Sequence, residues 1–292
     1  MPPPALAALL EPWQFLALAL SYLPSTLLTH LLALDFSTLL SWPRLQAAWF
    51  GRFWAHVGPM IRTNAEAKVV PLLQGSVTHG VIPPSASPSP SPPDKSASHP
   101  HPHPHPPVSG TVLEIGPGTG MWTSLFQPST LPAVTKVYGV EPNPAQHPAL
   151  RRAVAAAGLE GTYEIVPLGI EDLASSGKIP LGSVDCVVTV MCLCSIPEPR
   201  HNMAQLYGYL KPGGRWYAYE HVKCFRSQGW GMQLYQAFLN LIWPHFIGGC
   251  EMCRETGKWL KEAGPWSDVD VHQLEGEPWY FTMPHIIGVL TK

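Results

Sequence analysis

An apolar run that closes on a carboxylate and then three alternating glycines is the segment of this chain best suited to chemistry: Val112-Leu113-Glu114-Ile115-Gly116-Pro117-Gly118-Thr119-Gly120. Such a run is a strand that opens into a tight loop. Gly116 permits the turn, and Gly118 and Gly120 remove the Cβ atoms that would hold a ligand off the backbone. The dinucleotide spacing G-x-G-x-x-G is not met, because Met121 stands where its third glycine would fall. A pyrophosphate is therefore the weaker expectation. A second carboxylate, Glu141, lies 21 positions after Gly120 at the end of the apolar run 137–140. Placed there, it can accept hydrogen bonds from both hydroxyls of a ribose, with Pro142 and Asn143 in the same loop. Together the two signals point to a nucleoside-bearing cofactor.

Those residues need a scaffold that brings strand ends together. Apolar strand candidates follow at 111–115, 136–140, 162–168, 184–191 and 215–222, with helical stretches between them at 149–157 and 200–210; two more strands, 269–274 and 285–291, close the chain. This alternation predicts a doubly wound, mostly parallel α/β sheet. Ligands of such sheets sit at the carboxyl ends of the strands. Ile170 and Glu171 after the third strand, Met191 and Cys194 after the fourth, and Lys211-Pro212-Gly213-Gly214 before the fifth all fall on that edge.

The acidic start at Glu114 with its G-x-G-x-G ending resembles the first motif of class I S-adenosylmethionine-dependent methyltransferases. The resemblance implies a Rossmann-like, seven-stranded sheet whose last strand runs antiparallel beside the fifth. It also implies S-adenosyl-L-methionine as cofactor, held by Glu114, Gly116, Gly118, Gly120, Glu141, Pro142, Asn143, Ile170, Glu171 and Met191. Leu193-Cys194-Ser195, Glu220-His221-Val222, Trp243-Pro244-His245, Gly249-Cys250, Arg254-Glu255-Thr256 and Pro284-His285-Ile286-Ile287-Gly288 narrow the likeness. They resemble the membrane-associated methyltransferase-like proteins that act as alkyl thiol S-methyltransferases. This likeness spans residues 111–292, the expected methyltransferase domain. The chain departs from the pattern at Glu141, where Asp is commoner, at Pro117, where Cys is commoner, and at Gly257, where a Trp often follows.

Transfer of a sulfonium methyl asks mainly for a nucleophile held in line and dry. A thiol ionises near pH 8.5, so a nearby base helps. His221, at the end of the fifth strand beside Glu220, is the expected base or orienting group. Between the fifth and sixth strands, 230–264 carries Trp230, Tyr235, Phe238, Trp243, Phe246 and Trp259, an expected helical cap that excludes water. Cys194, Trp230, Trp243 and His245 are the expected pocket residues. The implied acceptor is a small lipophilic thiol. A lipid or amine N-methyltransferase is the alternative enzyme, and a surface protein with a cofactor-binding but inactive domain is the alternative outside enzymes.

The remainder of the chain sets location. Residues 12–34 hold no Lys, Arg, Asp or Glu, a length that reaches across a bilayer. No cation precedes them, which argues against a cleaved signal. Pro24 breaks the run, so an interfacial anchor is as consistent as a span, and a pair of helices buried on the core is the alternative. Arg44, Arg52, Arg62 and Lys68 follow the run and place the rest on the cytosolic face, with the endoplasmic reticulum or lipid droplets as expected surfaces. The division expected is a membrane-anchoring segment 1–40, amphipathic connecting helices 41–75 and a linker 76–110 rich in Pro, Ser and His that offers little to bury. With 13% charged residues and a net charge of -2, nothing in the chain suits nucleic acid. No obligate protein partner is implied. The six cysteines include one C-x-x-C, Cys250 to Cys253, without a second pair, so free thiols and no metal site are expected, and the period-two histidines from His99 to His105 form no closed site.

Overall fold

The computed structural model describes residues 4–83 and 104–292; the Ser-Pro alternation and His99, His101 and His103 lie outside the described residues. The expected sheet is present, with seven strands in the order β3-β2-β1-β4-β5-β7-β6. These are β1 (Gly110–Ile115), β2 (Val134–Val140), β3 (Tyr163–Val166), β4 (Val184–Val190), β5 (Leu210–His221), β6 (Asp268–Gln273) and β7 (His285–Thr291). Strands β1 to β5 pair in parallel, and β7 runs antiparallel between β5 and β6. Central strands covered on both faces need apolar residues on both, which is why β4 is apolar apart from Asp185 near its start and the buried Thr189. The strand order reverses between β1 and β4, and that reversal opens the crevice in which open α/β sheets take ligands.

Four helices precede the sheet: α1 (Pro4–Ser21), α2 (Leu23–Leu32), α3 (Phe36–Leu39) and α4 (Trp42–Leu73). Pro24 falls in the first turn of α2, where its missing N–H has no helical partner to lose. Where connecting helices were expected over 41–75, α4 forms one 32-residue helix with Pro59 and Pro71 inside it. Its C-terminal half packs on the sheet through Val69, Leu72 and Leu73. Its N-terminal half joins an apolar roof over the carboxyl edge, where Phe53 and Val57 meet Leu16, Ala19, Trp243 and Met252.

The apolar stretch Pro4–Leu32 is long enough to cross a membrane, yet one flank is docked on the protein. Phe15 stacks on Trp243 at 5.7 Å, and Trp49 Nε1 donates to the Ala19 carbonyl at 2.7 Å. Trp13 Nε1 donates to the Tyr235 hydroxyl at 2.8 Å.

After the sheet opens, α5 (His147–Ala156), α6 (Ile170–Ser176) and α7 (Pro199–Tyr209) cover its faces. The insertion before β6 carries α8 (Trp230–Asn240), α9 (Trp243–Phe246) and α10 (Thr256–Glu262). Only α8 and α9 belong to the roof. Leu260 of α10 packs with Leu206 and Met203 of α7 beneath the sheet, so the cap expected over 230–264 is shorter than its sequence span, and α1 and α4 complete it.

Both ends of the expected linker belong to the domain. Val77 and Val108 are fully buried, the backbone N–H of His105 donates to Gly75 O at 3.0 Å, and Pro106 O accepts from the Tyr217 hydroxyl at 2.6 Å. The apolar residues at either end of the insertion have a core to enter, and only its interior is left to the low-complexity sequence.

Candidate active site

The loop after β1 is built by three glycines with separate tasks. Gly116, Gly118 and Gly120 all have positive φ (+63°, +58° and +85°), where a Cβ is strained. A Cβ at Gly116 would stand 2.8 Å from Cys192 Cβ, so this glycine lets the β1 and β4 loops meet. At Gly120 a Cβ would come within 2.5 Å of Ala153 on α5. That glycine therefore makes room for helix packing, not for a ligand as the sequence pattern suggested. Gly118 alone faces outward, beneath the indole of Trp54 on α4, 3.5 Å from where its Cβ would be.

The two sequence-predicted carboxylates part company. Glu141 is buried at the end of β2 and accepts from the backbone N–H of Gly118 at 2.9 Å and of Asn143 at 2.8 Å. It thus ties the first loop to the second. Burial raises its carboxyl above the ordinary range, against the pull of those two amides. Asn143 in turn donates through Nδ2 to the Ala47 carbonyl of α4 at 3.1 Å. Pro142 is exposed beside it. Glu114, by contrast, turns into the sheet. Tyr163 of β3 reaches it with a hydroxyl hydrogen bond of 2.5 Å, passing over Gly139 of β2, where any Cβ would collide with the phenol. Burial pushes the Glu114 carboxyl up to about 7, opposed by that hydrogen bond. A cleft of about 340 Å³ opens beside the loop, bordered by Thr119, Arg52 of α4 and Ala145, Gln146 and Arg152.

Ile170 is buried at the start of α6, while Glu171 is exposed. Met191 follows β4 with φ +52°, a left-handed backbone that a side-chain-bearing residue seldom adopts.

Glu220 and His221 are successive strand residues and so face opposite ways. The Glu220 carboxylate accepts from the backbone N–H groups of Cys192 (3.3 Å) and Leu193 (3.1 Å), which fixes the loop after β4. Burial pushes it up to about 8. His221 instead enters a buried cluster with two thiols. Its Nε2 lies 3.2 Å from Cys250 Sγ, and Cys194 Sγ completes a group whose atoms all lie within 4.8 Å of one another. Trp243 Nε1 donates to Cys250 Sγ at 3.3 Å. Hydrogen bonding from the Cys250 thiol, with the imidazole charge beside it, holds the Cys194 thiol well below its ordinary range against burial. Burial works against a charge on His221, and the Cys194 thiolate outweighs it, so the imidazole is raised. Its Nδ1 is buried with no partner among the described residues.

Of the expected pocket residues, Cys194 and Trp243 come together in this cluster. Trp230 and His245 do not: both are exposed. Trp230 lines a separate open cleft of about 610 Å³ with Leu9, Leu10, Trp13 and Tyr235. Sequence reasoning missed Cys250 as a partner of His221, because the C-x-x-C spacing drew attention to Cys253. It also missed Arg254, buried, whose Nη1 donates to the carbonyls of Leu193 (2.8 Å) and Ile196 (2.7 Å). The Arg-Glu-Thr element was its only signal.

Residues 97–264 match the model of a methyltransferase domain. The chain belongs to the methyltransferase family. It is 35% identical over 189 residues to the thiol S-methyltransferase TMT1B of Rattus norvegicus, covering 62% of this chain and 70% of that protein. To TMT1B of Homo sapiens it is 31% identical over 186 residues, with the same shares covered. Among solved structures, an O-methyltransferase family protein from Burkholderia thailandensis is similar at 16% identity and a TM-score of 0.46, over 63% of this chain and 51% of that one. This methyltransferase has the class I architecture and is an S-adenosylmethionine-dependent enzyme. Its residues fit that cofactor: a carboxylate that already holds two backbone N–H groups sits at the end of β2, and an outward-facing glycine lies under an indole.

Proposed function

We propose that this methyltransferase passes the methyl group of S-adenosylmethionine to the sulfur of a small lipophilic thiol, at a membrane surface. The observation that carries this reading is the buried Cys194–His221–Cys250 cluster under an apolar roof. It offers a proton-accepting imidazole–thiolate pair and one nitrogen, His221 Nδ1, without a partner among the described residues. An amine acceptor would want an anion to hold its cation. The nearby carboxylate, Glu220, is fully buried and faces away from His221. The TMT1B relatives, named as thiol S-methyltransferases, support the same acceptor class.

When bound, the cofactor supplies an electrophilic methyl on a sulfonium. Glu141 would accept from its ribose hydroxyls, beside the Gly118 loop on which the Trp54 indole packs. His221 sits where it can hold the acceptor's proton, with Cys194 sharing the charge, so that the thiolate form is populated near neutral pH. Glu220 and Arg254 fix the loop that carries Cys194. Phe53, Val57 and Trp243 keep water out. The outer face of α1 and α2 lies on the membrane, from which lipophilic acceptors arrive.

The test is turnover of methyl-labelled S-adenosylmethionine by the full chain with alkyl thiols, alkylamines and phosphatidylethanolamine vesicles. Labelled thioether is expected. Label in phosphatidylethanolamine or amine, with none in thiol, would overturn the acceptor assignment.

A further inference from the structure

Far from the methyl-transfer site, on the edge strand β6, one buried carboxylate gathers three histidines. Asp270 is buried. Its Oδ2 accepts from Thr78 Oγ1 at 2.9 Å and lies 2.8 Å from His105 Nε2. Its Oδ1 accepts the backbone N–H of His79 at 2.7 Å. The same Oδ1 lies 3.4 Å from His79 Nδ1 and 3.3 Å from His272 Nε2. His272 is two residues along β6 from Asp270 and so shares its face.

The lengths of these approaches are informative. The bond to His105 is an ordinary hydrogen bond, whereas 3.3 and 3.4 Å exceed the usual N–H···O range. Two ligands bonded at about 2.0 to 2.1 Å to one tetrahedral ion stand about 3.3 to 3.4 Å apart. His79 Nδ1, Asp270 Oδ1 and His272 Nε2 all lie within 4.8 Å of one another. The backbone is held to this arrangement. Thr78 and Val81 pair across a tight turn whose central residues, His79 and Gly80, have φ of +50° and +79°. A Cβ at Gly80 would collide with Gln273 O on β6, so the turn is seated on the strand. A histidine in left-handed backbone is uncommon and marks a constrained position.

We propose that His79, Asp270 and His272 form a binding site for a divalent transition ion of the zinc class, with His105 orienting the carboxylate from behind. Two imidazoles and a carboxylate suit zinc, cobalt, nickel or copper rather than magnesium or calcium. A ligating carboxylate is itself usually hydrogen-bonded, the role His105 fills. Both flanks of the Pro-, Ser- and His-rich insertion, 76–83 and 104–110, meet at Asp270, so the ion fastens the two ends of that insertion to the edge of the sheet. With three protein ligands on a half-open surface, a fourth position is left to water.

The test uses the full chain carrying no polyhistidine tag, stripped with a chelator and titrated with Co²⁺ followed by optical absorption, and with Zn²⁺ followed by calorimetry. One tight ion per chain with tetrahedral cobalt bands is expected. His79→Gln and His272→Gln should each weaken it at least tenfold, and both side chains are exposed enough (76% and 44%) that the fold is retained, as a near-ultraviolet spectrum would confirm. His105→Gln should weaken it tenfold or more through the loosened carboxylate. Alanine at His99, His101 and His103 together should leave the tight ion in place. No tight ion, unchanged affinity in both Gln variants, or loss of binding in the triple Ala variant would each overturn the proposal.

Discussion

Two glutamates that close neighbouring apolar strands perform different work, and each makes a prediction. Glu141 ends β2 at the crevice and holds the backbone of both cofactor-facing loops. If it also takes the ribose, Glu141→Ala loses two hydrogen bonds to a charged group, each worth about 1.5 to 3 kcal/mol. Calorimetry with S-adenosylmethionine should then show affinity weaker by a hundredfold or more. Unchanged affinity in a folded variant would remove Glu141 from the cofactor site. Glu114 is buried inside the sheet, with its carboxyl pushed up to about 7. A raised carboxyl favours the protonated form in the fold. Its contribution to stability is therefore complete below the unfolded value, about 4.5, and fades as pH rises through 7, a span worth about 3 kcal/mol. Glu114→Gln should flatten the fall in urea midpoint between pH 5 and pH 8, while keeping an acceptor for the Tyr163 hydroxyl. An equal slope in wild type and variant would show that Glu114 is not the titrating group. The sequence placed both carboxylates at strand ends but could not separate them, because which side of the pleat a residue takes depends on register, and here on the Gly139 gap that admits Tyr163. The Cys194–His221–Cys250 meeting was equally hidden. It joins three residues from separate segments, with Cys250 29 positions beyond His221, a spacing that no local pattern encodes.

At the scale of elements, the sheet was legible because its strands are short apolar runs separated by turn residues, and the expected boundaries fall within a few residues of those observed for every strand except β5, whose start reaches back to Leu210. The roof was not. The aromatic and leucine stripes of α1 and α4 have the composition of a membrane segment whether they face lipid or protein, and only the fold distributes them. Phe15 and Leu16 face inward onto Phe53 and Trp243, while Leu27, Leu28, Leu31 and Leu32 face outward, as do Trp230, Leu234 and Phe238 of α8. Trp13 and Phe238, 6.1 Å apart, join the two outer surfaces into one. A helix docked along one flank and bare along the other suits a position in the plane of the membrane better than a span across it. Replacing Leu27, Leu28, Leu31 and Leu32 with serine should therefore reduce co-flotation with phospholipid vesicles at least tenfold, with little change in melting temperature, since none of the four is buried. Retained flotation would mean that another surface holds the membrane, and a collapsed melting temperature would mean that α2 carries the fold.

The whole molecule places a thiol–imidazole cluster under an apolar roof, and sets that roof beneath the surface proposed to rest on lipid. An acceptor that partitions into the membrane reaches the cluster through apolar surroundings, and each methylene it leaves in the roof contributes up to about 0.8 kcal/mol. Among straight-chain alkyl thiols, kcat/KM should therefore rise with chain length, by as much as about fourfold per methylene, until the roof is filled. The gain should appear whether or not vesicles are present if the roof supplies it, and only with vesicles if partitioning does. The same series tests His221. The imidazole–thiolate pair matters most where free thiolate is scarce, so His221→Ala should lower kcat/KM more at pH 6.5 than at pH 9, and extend the acidic limb of the pH profile to higher pH. An equal loss at every pH would make His221 a positioning residue that holds Cys194 and Cys250 in place. A rate independent of chain length would take the roof out of acceptor recognition and leave the selection of substrate to the narrower polar surroundings of the cluster itself.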